Sequence, residues 1–162
     1  MSFRKAAARA AGEMDASFFL FFEETEWYFR HNLAGYKTIF CPEAKVFHER
    51  SMTTVRYSPR KLFYSERNRL RTAIRLLSLG SILKLPILGC LRYLNMARGG
   101  VPGTSGDGKR LSKVSICWAL GKAWLQALWM LPAELVKRIK YRKKFGDVNK
   151  KVADILKRYS IF

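Results

Sequence analysis

Val114–Ala133 is a stretch of twenty positions in which Lys122 is the only charged side chain. A segment of that polarity has three places to go: a protein core, a membrane interface, or a span across a bilayer. Its longest uncharged run, Ala123–Ala133, falls short of the ~18 residues expected of a confident span. On a helix, Ser115, Lys122 and Gln126 share one narrow stripe, and Trp118, Trp124 and Trp129 occupy the rest. The basic run Lys137–Lys144 follows, interrupted only by Ile139 and Tyr141. An apolar, Trp-rich helix with a thin polar edge and a basic flank reads as one lying in a membrane interface. Packing against the domain and spanning remain open beside it.

Charge is segregated in the same direction. The chain of 162 residues carries +19, from 31 Lys and Arg against 12 Asp and Glu. Residues 1–55 hold seven basic and seven acidic side chains, so the excess lies wholly in residues 56–162, with 24 basic against five acidic. A polyanionic partner, anionic membrane or nucleic acid, is therefore expected of the second part only. No helix-turn-helix, RNP or zinc signature accompanies it, and its long aliphatic runs favour lipid over bases. Cys41, Cys90 and Cys117 are odd in number and form no CxxC pair, which excludes a disulfide scaffold and a zinc ribbon and suits a reducing compartment. Phe3-Arg4-Lys5 leads into small residues, so no secretory signal is expected. Hydrophobic residues at 49% argue for a folded core rather than disorder.

Along the chain, residues 2–11 are Ala-rich and predict a helix ending at Gly12. A second helix is expected over 23–34, with carboxylates at its start and Gly35 as a left-handed cap. Two short strands are expected at 37–40 and 45–47, separated by Pro42. Residues 60–79 predict a helix with basic residues on one side and Leu62, Phe63, Leu70, Ile74 and Leu77 on another. Residues 80–96 are apolar, with Pro86 expected to interrupt or restart a helix, and 99–108 read as a flexible loop. A long amphipathic helix and a short basic one over 147–159 close the chain. These boundaries divide it into 1–55, a basic and apolar helical segment 56–98, a linker 99–110 and a membrane-interface tail 111–162.

One block carries chemistry. Gly12-Glu13-Met14-Asp15-Ala16-Ser17-Phe18-Phe19-Leu20-Phe21-Phe22-Glu23-Glu24-Thr25-Glu26-Trp27 is followed by Arg30, Ala34-Gly35-Tyr36-Lys37, Pro42-Glu43-Ala44 and Val46-Phe47-His48. This arrangement resembles the acceptor-side half of family-2 glycosyltransferases, in the rhamnosyltransferase-like branch, and Pro59–Leu70 is similar to that family's downstream segment. The resemblance implies an α/β fragment, a partial GT-A domain with a few short strands, followed by a mainly α-helical C-terminal region. It implies transfer of a sugar from a nucleotide-sugar donor to a glycan or lipid-linked acceptor, with inversion.

Under that resemblance Glu24 is the general base, standing where the family usually has Asp, and an acceptor hydroxyl needs such a carboxylate beside it. Asp15, Glu23 and Trp27 would form the acceptor site, and His48 and Arg67 would approach the donor diphosphate, His48 also as a metal ligand. A divalent metal, Mg or Mn, is implied for the complete enzyme, yet no Asp-x-Asp motif occurs and the family's nucleotide-binding half has no counterpart here. A separate chain supplying that half is one implied partner, and the implied location is the cytoplasmic face of a membrane, peripherally bound. Each residue also has a plainer reading: Glu23 and Glu24 complement a helix dipole, Trp27 is a core residue, His48 is structural, and Arg67 belongs to a solvated basic face. A non-catalytic basic helical protein that binds anionic membrane or nucleic acid is the reading from another class.

Overall fold

The computed structural model describes residues 3–39, 41–45, 47, 58–98 and 112–159. They form seven α-helices in the order α1 (Lys5–Ala11), α2 (Glu23–Leu33), α3 (Pro59–Leu76), α4 (Leu79–Arg98), α5 (Lys113–Trp129), α6 (Leu131–Phe145) and α7 (Val148–Tyr159), with one 3₁₀ turn at Ala16–Phe18. Among the described residues there is no strand. The expected α/β fragment is thereby corrected to an all-helical arrangement. Residues 37–39 and 41–45 are irregular, and Ile39 and Phe47 are exposed. A strand needs a neighbour to take its backbone hydrogen bonds, and no described segment offers one. Phe40, Val46 and the expected loop 99–108 lie outside the described residues.

Where the sequence carries stop and start chemistry, the helices obey it. Gly35 has a φ of 89°, and behind it Gly35 N–H donates to Asn32 O and Tyr36 N–H to His31 O, both at 3.0 Å, the paired bonds of a Schellman cap. Ser58 caps α3, its Oγ accepting from Lys61 N–H at 3.1 Å, with Pro59 pre-set for the first turn. The expected single helix after residue 111 is instead two. Pro132 has no N–H for the Leu128 carbonyl and its ring would clash with the preceding turn, so α5 stops and α6 leaves it at 60°. Pro86, by contrast, is absorbed within α4, leaving the Ile82 carbonyl without its usual donor.

Helix α3 is the axis of the fold. From Glu66 to Leu76 every residue except Arg69 is buried, because α4, α5, α6 and the Asp15–Phe22 loop all lie against it. One apolar cluster joins Leu70 and Ala73 of α3 to Leu85 of α4 and Ala127 of α5. Another joins Leu33 of α2 and Leu76 of α3 to Phe145, Val148 and Val152 at the α6–α7 corner. Helix α5 meets the rest of the protein through Ala119, Ala123 and Ala127, a buried small-residue seam that lets its backbone come close to α3.

The seam gives a paired test. Ala123 is 0% exposed, so Ala123→Leu should overpack it and cost roughly 1–3 kcal/mol. Gly121 lies on the outward side with open space around it, so Gly121→Ala should stabilise by up to about 1 kcal/mol. Thermal unfolding followed by circular dichroism checks both. Equal, small effects would mean that the seam is not packed as described.

Candidate membrane interface

Beside its apolar clusters the interior of this bundle carries a charged network, and much of its outside is apolar. Arg67, Arg71 and Arg75 lie four apart on α3 and are all buried. Arg71 Nε donates to Glu134 Oε1 at 2.7 Å, and Arg75 Nε donates to Glu134 Oε2. Arg75 Nη2 donates to Asp15 Oδ2 at 2.7 Å, and Lys137 Nζ donates to the same oxygen. Arg75 Nη1 also lies 3.4 Å from Glu26 Oε1 on α2. Glu26 accepts from Arg30 Nε and from the Tyr141 hydroxyl of α6. Both α3 guanidinium groups cover the face of Phe18, at 4.5 Å for Arg71 and 4.7 Å for Arg75. Arg138 ends α3 by donating to Ile74 O at 2.6 Å and Leu77 O at 2.7 Å.

Protonation follows from this geometry. Burial alone would raise the Asp15 carboxyl, but hydrogen bonds from Lys137, Ser17 and Arg75 override it and hold the group well below the usual carboxylate range. Burial likewise opposes ionisation of Glu134, and Arg75 and Arg71 outweigh it, so its pKa is lowered. Tyr141 is pushed up by burial and by the charge of Glu26, and remains a phenol that donates.

Several residues singled out for sugar transfer are engaged in holding the fold. Asp15 is consumed in ion pairs with Arg75 and Lys137. Trp27 is 4% exposed and its indole donates to Gly12 O at 2.6 Å, so no ring face is free to stack on a sugar. Arg67 is not on a solvated face: it donates to Phe18 O at 2.8 Å and to Asn68 Oδ1 at 2.9 Å. Glu23 and Glu24 occupy the first turn of α2, which has no side-chain cap. Glu24 is exposed there, and Glu23 Oε2 is buried without a hydrogen-bond partner. His48 lies outside the described residues. Among those described, no group of three or more His, Cys, Asp and Glu side chains is placed to hold a metal ion.

Three residues that hold the site together went unnoticed in the sequence. Glu134 is the one acid between Val114 and Lys144, and Arg71 and Arg75 continue a four-residue ladder from Arg67. An isolated acid ahead of a basic run, together with arginines at helical spacing among aliphatic residues, was the available signal.

The outer faces carry the complementary pattern. On α5, Val114, Trp118, Gly121, Leu125 and Trp129 form one stripe opposite the alanine seam. Trp118 is 70% exposed and Trp129 85%. The thin polar edge of the same helix points toward α3: Gln126 accepts from Arg67 Nη1 at 3.3 Å, and Lys122 lies over the Phe63 ring. On α6, Glu134 and Arg138 face inward while Leu135, Val136 and Ile139 are exposed. Leu79, Leu83, Ile87, Leu88 and Leu91 of α4 are exposed as well. Arg142, Lys143 and Lys144 follow the apolar half of α6 on its solvent side. Among the described residues no single helix is long and apolar enough to cross a membrane; α5 and α6 reach that composition only together, across their bend.

No protein-family model, curated protein or solved structure matches the chain. The resemblance to family-2 glycosyltransferases is therefore corrected: no match supports it, and the described residues contain none of the sheet that a GT-A fold requires.

Because the Asp15 and Glu134 carboxyls ionise more readily folded than unfolded, their stabilisation is complete above their ordinary values of 3.8 and 4.5. It is lost as pH falls below these and through the folded values. Chemical unfolding measured against pH should show that acid limb. Glu134→Gln should lower stability at neutral pH by about 3–5 kcal/mol and flatten the limb, whereas Glu24→Gln should change stability by less than about 0.5 kcal/mol.

Proposed function

We propose that this protein is a peripheral membrane protein that lies with the outward faces of α5 and the first half of α6 in the lipid interface. The observation that supports the reading is the inverted polarity of these two helices. Each turns its polar or small residues toward α3 and its large apolar residues outward. In water that arrangement leaves a large apolar patch unburied. In a membrane interface the Trp side chains sit at headgroup depth and the aliphatic ones below it.

Two energy terms divide the work. Each large apolar side chain taken fully out of water contributes roughly 1.5–3 kcal/mol, and each Lys or Arg near an anionic surface about 1 kcal/mol. The apolar stripe therefore supplies most of the binding, and it does not weaken in salt. The basic residues of α6 and α7 favour anionic lipid, through a contribution that salt screens. A nucleic-acid partner would use the second term alone and leave the Trp stripe in water. Sugar transfer through Glu24 rested on the resemblance, and no feature of the described residues adds to it.

Flotation with vesicles of phosphatidylcholine alone, and mixed with phosphatidylglycerol, tests the reading. The protein should float on both, more tightly on the anionic mixture, and keep a bound fraction at about 1 M salt, where screening acts within ~3 Å. Replacing Trp118, Leu125 and Trp129 with Ser should weaken partitioning at least about a hundredfold. Unchanged flotation of that variant would contradict the proposal. So would binding that disappears entirely in salt while a labelled oligonucleotide is held tightly.

A further inference from the structure

Lys122, the single charge in the apolar stretch, stands at the flank of the outward stripe of α5. Its Nζ is 5.9 Å from the centroid of the Phe63 ring. Tyr64 meets Phe63 edge-on at 5.0 Å, and Arg67 lies 5.6 Å from the first ring and 4.8 Å from the second. Arg60 is 5.9 Å from Tyr64. Three cations thus share one aromatic pair, each within the ~6 Å over which a ring face attracts a cation. Lys61 stands beside them, 5.3 Å from the ring of Phe21.

Ion pairing separates this patch from the arginines beside it on α3. Arg30, Arg69, Arg71, Arg75 and Lys137 each have a carboxylate within 4.0 Å. Among the described residues, Arg60, Lys61, Arg67 and Lys122 have none at that distance. Arg67 is the costly member, being 6% exposed. Its donors reach only neutral oxygens, those of Phe18, Asn68 and Gln126. Burial, with the nearby charge of Arg71, lowers its pKa. Ring faces and amide oxygens satisfy its hydrogens, and Glu134 attracts it only from beyond ion-pair distance, so its buried charge is incompletely compensated.

We infer that the Phe63–Tyr64 patch binds the phosphate of a membrane lipid, with a terminal phosphate monoester favoured over a diester. The inference rests on the membrane reading above, which puts Lys122 at headgroup depth beside the lipid-facing stripe. A monoester carries close to two negative charges near neutral pH and three acceptor oxygens, against one charge for a diester. It is thus the better match for three or four cations with no acid among them. Guanidinium groups and phosphate oxygens also form strong charge-assisted bonds.

The test compares vesicles containing phosphatidate with vesicles containing phosphatidylglycerol, matched for surface charge. The protein should partition about tenfold more tightly onto phosphatidate. Arg60 and Lys122 are exposed, so R60Q/K122Q keeps the fold. That variant should lose the preference while still floating on phosphatidylglycerol, and K140Q/K143Q, which removes as much charge from α6, should retain it. The preference surviving in R60Q/K122Q, or vanishing equally in both variants, overturns the site. Calorimetry with glycerol 3-phosphate and no vesicles should show binding far weaker than to phosphatidate; equally tight binding would make the ligand a soluble phosphate ester and overturn the lipid assignment. A protein that floats on every vesicle without preference sinks only the site, whereas one that floats on none sinks the membrane reading with it.

Discussion

Glu134 accepts Arg71 through one carboxylate oxygen and Arg75 through the other, and each guanidinium reaches onward from there. Arg71 Nη2 donates to Ser17 Oγ at 2.6 Å, and Arg75 engages Asp15 and Glu26. The rotation of α6 about its own axis, the path of the Asp15–Phe22 loop and the docking of α2 are all tied to that one carboxylate. Few charges in the bundle are so fully withdrawn from water: Glu134, Arg71 and Arg75 are each 0% exposed. Removing one partner of such a set leaves others buried and uncompensated, which is why the arrangement tolerates little adjustment.

The same constraint dictates the outside. A helix that must face Glu134 and Arg138 inward presents its opposite side outward, and on α6 that side is Leu135, Val136 and Ile139. Helix α5 packs on α3 with alanines, Ala127 against Leu70 and Ala73. Only small side chains let it approach α3 closely, so its bulk, Trp118, Leu125 and Trp129, is turned away. The charged interior and the apolar exterior are two sides of one packing solution. Under the proposed reading, a lipid interface is the surrounding in which neither side is penalised.

Two helix ends are legible in the sequence because they are local chemistry: Gly12 and Gly35 act on the residues beside them. The low charge and helical period of Val114–Ala133 are legible as well, since they depend on composition and spacing alone. The strands expected at 37–40 and 45–47 depended on a sheet that residues elsewhere would have to supply, and β-rich composition does not reveal a missing partner. Arg67 is expected from the sequence at a donor diphosphate or on a solvated face, because a single sequence gives no sign that Phe18 O and Asn68 await it. The resemblance puts Asp15 and Trp27 in an acceptor site, whereas their distant partners, Lys137 across 122 positions and Gly12 across 15, employ both in holding the fold.

The central claim is that the outward face of α5 contacts lipid while the helices behind it keep their own interior. Fluorescence quenching by lipids brominated along their acyl chains measures this directly in two single-tryptophan variants. One retains Trp129, 85% exposed on that face; the other retains Trp27, 4% exposed against Gly12. On vesicles, Trp129 should shift to the blue and be strongly quenched, with Trp27 unaffected. Equal quenching of the two, or none at Trp129 in protein that is vesicle-bound, would contradict the account.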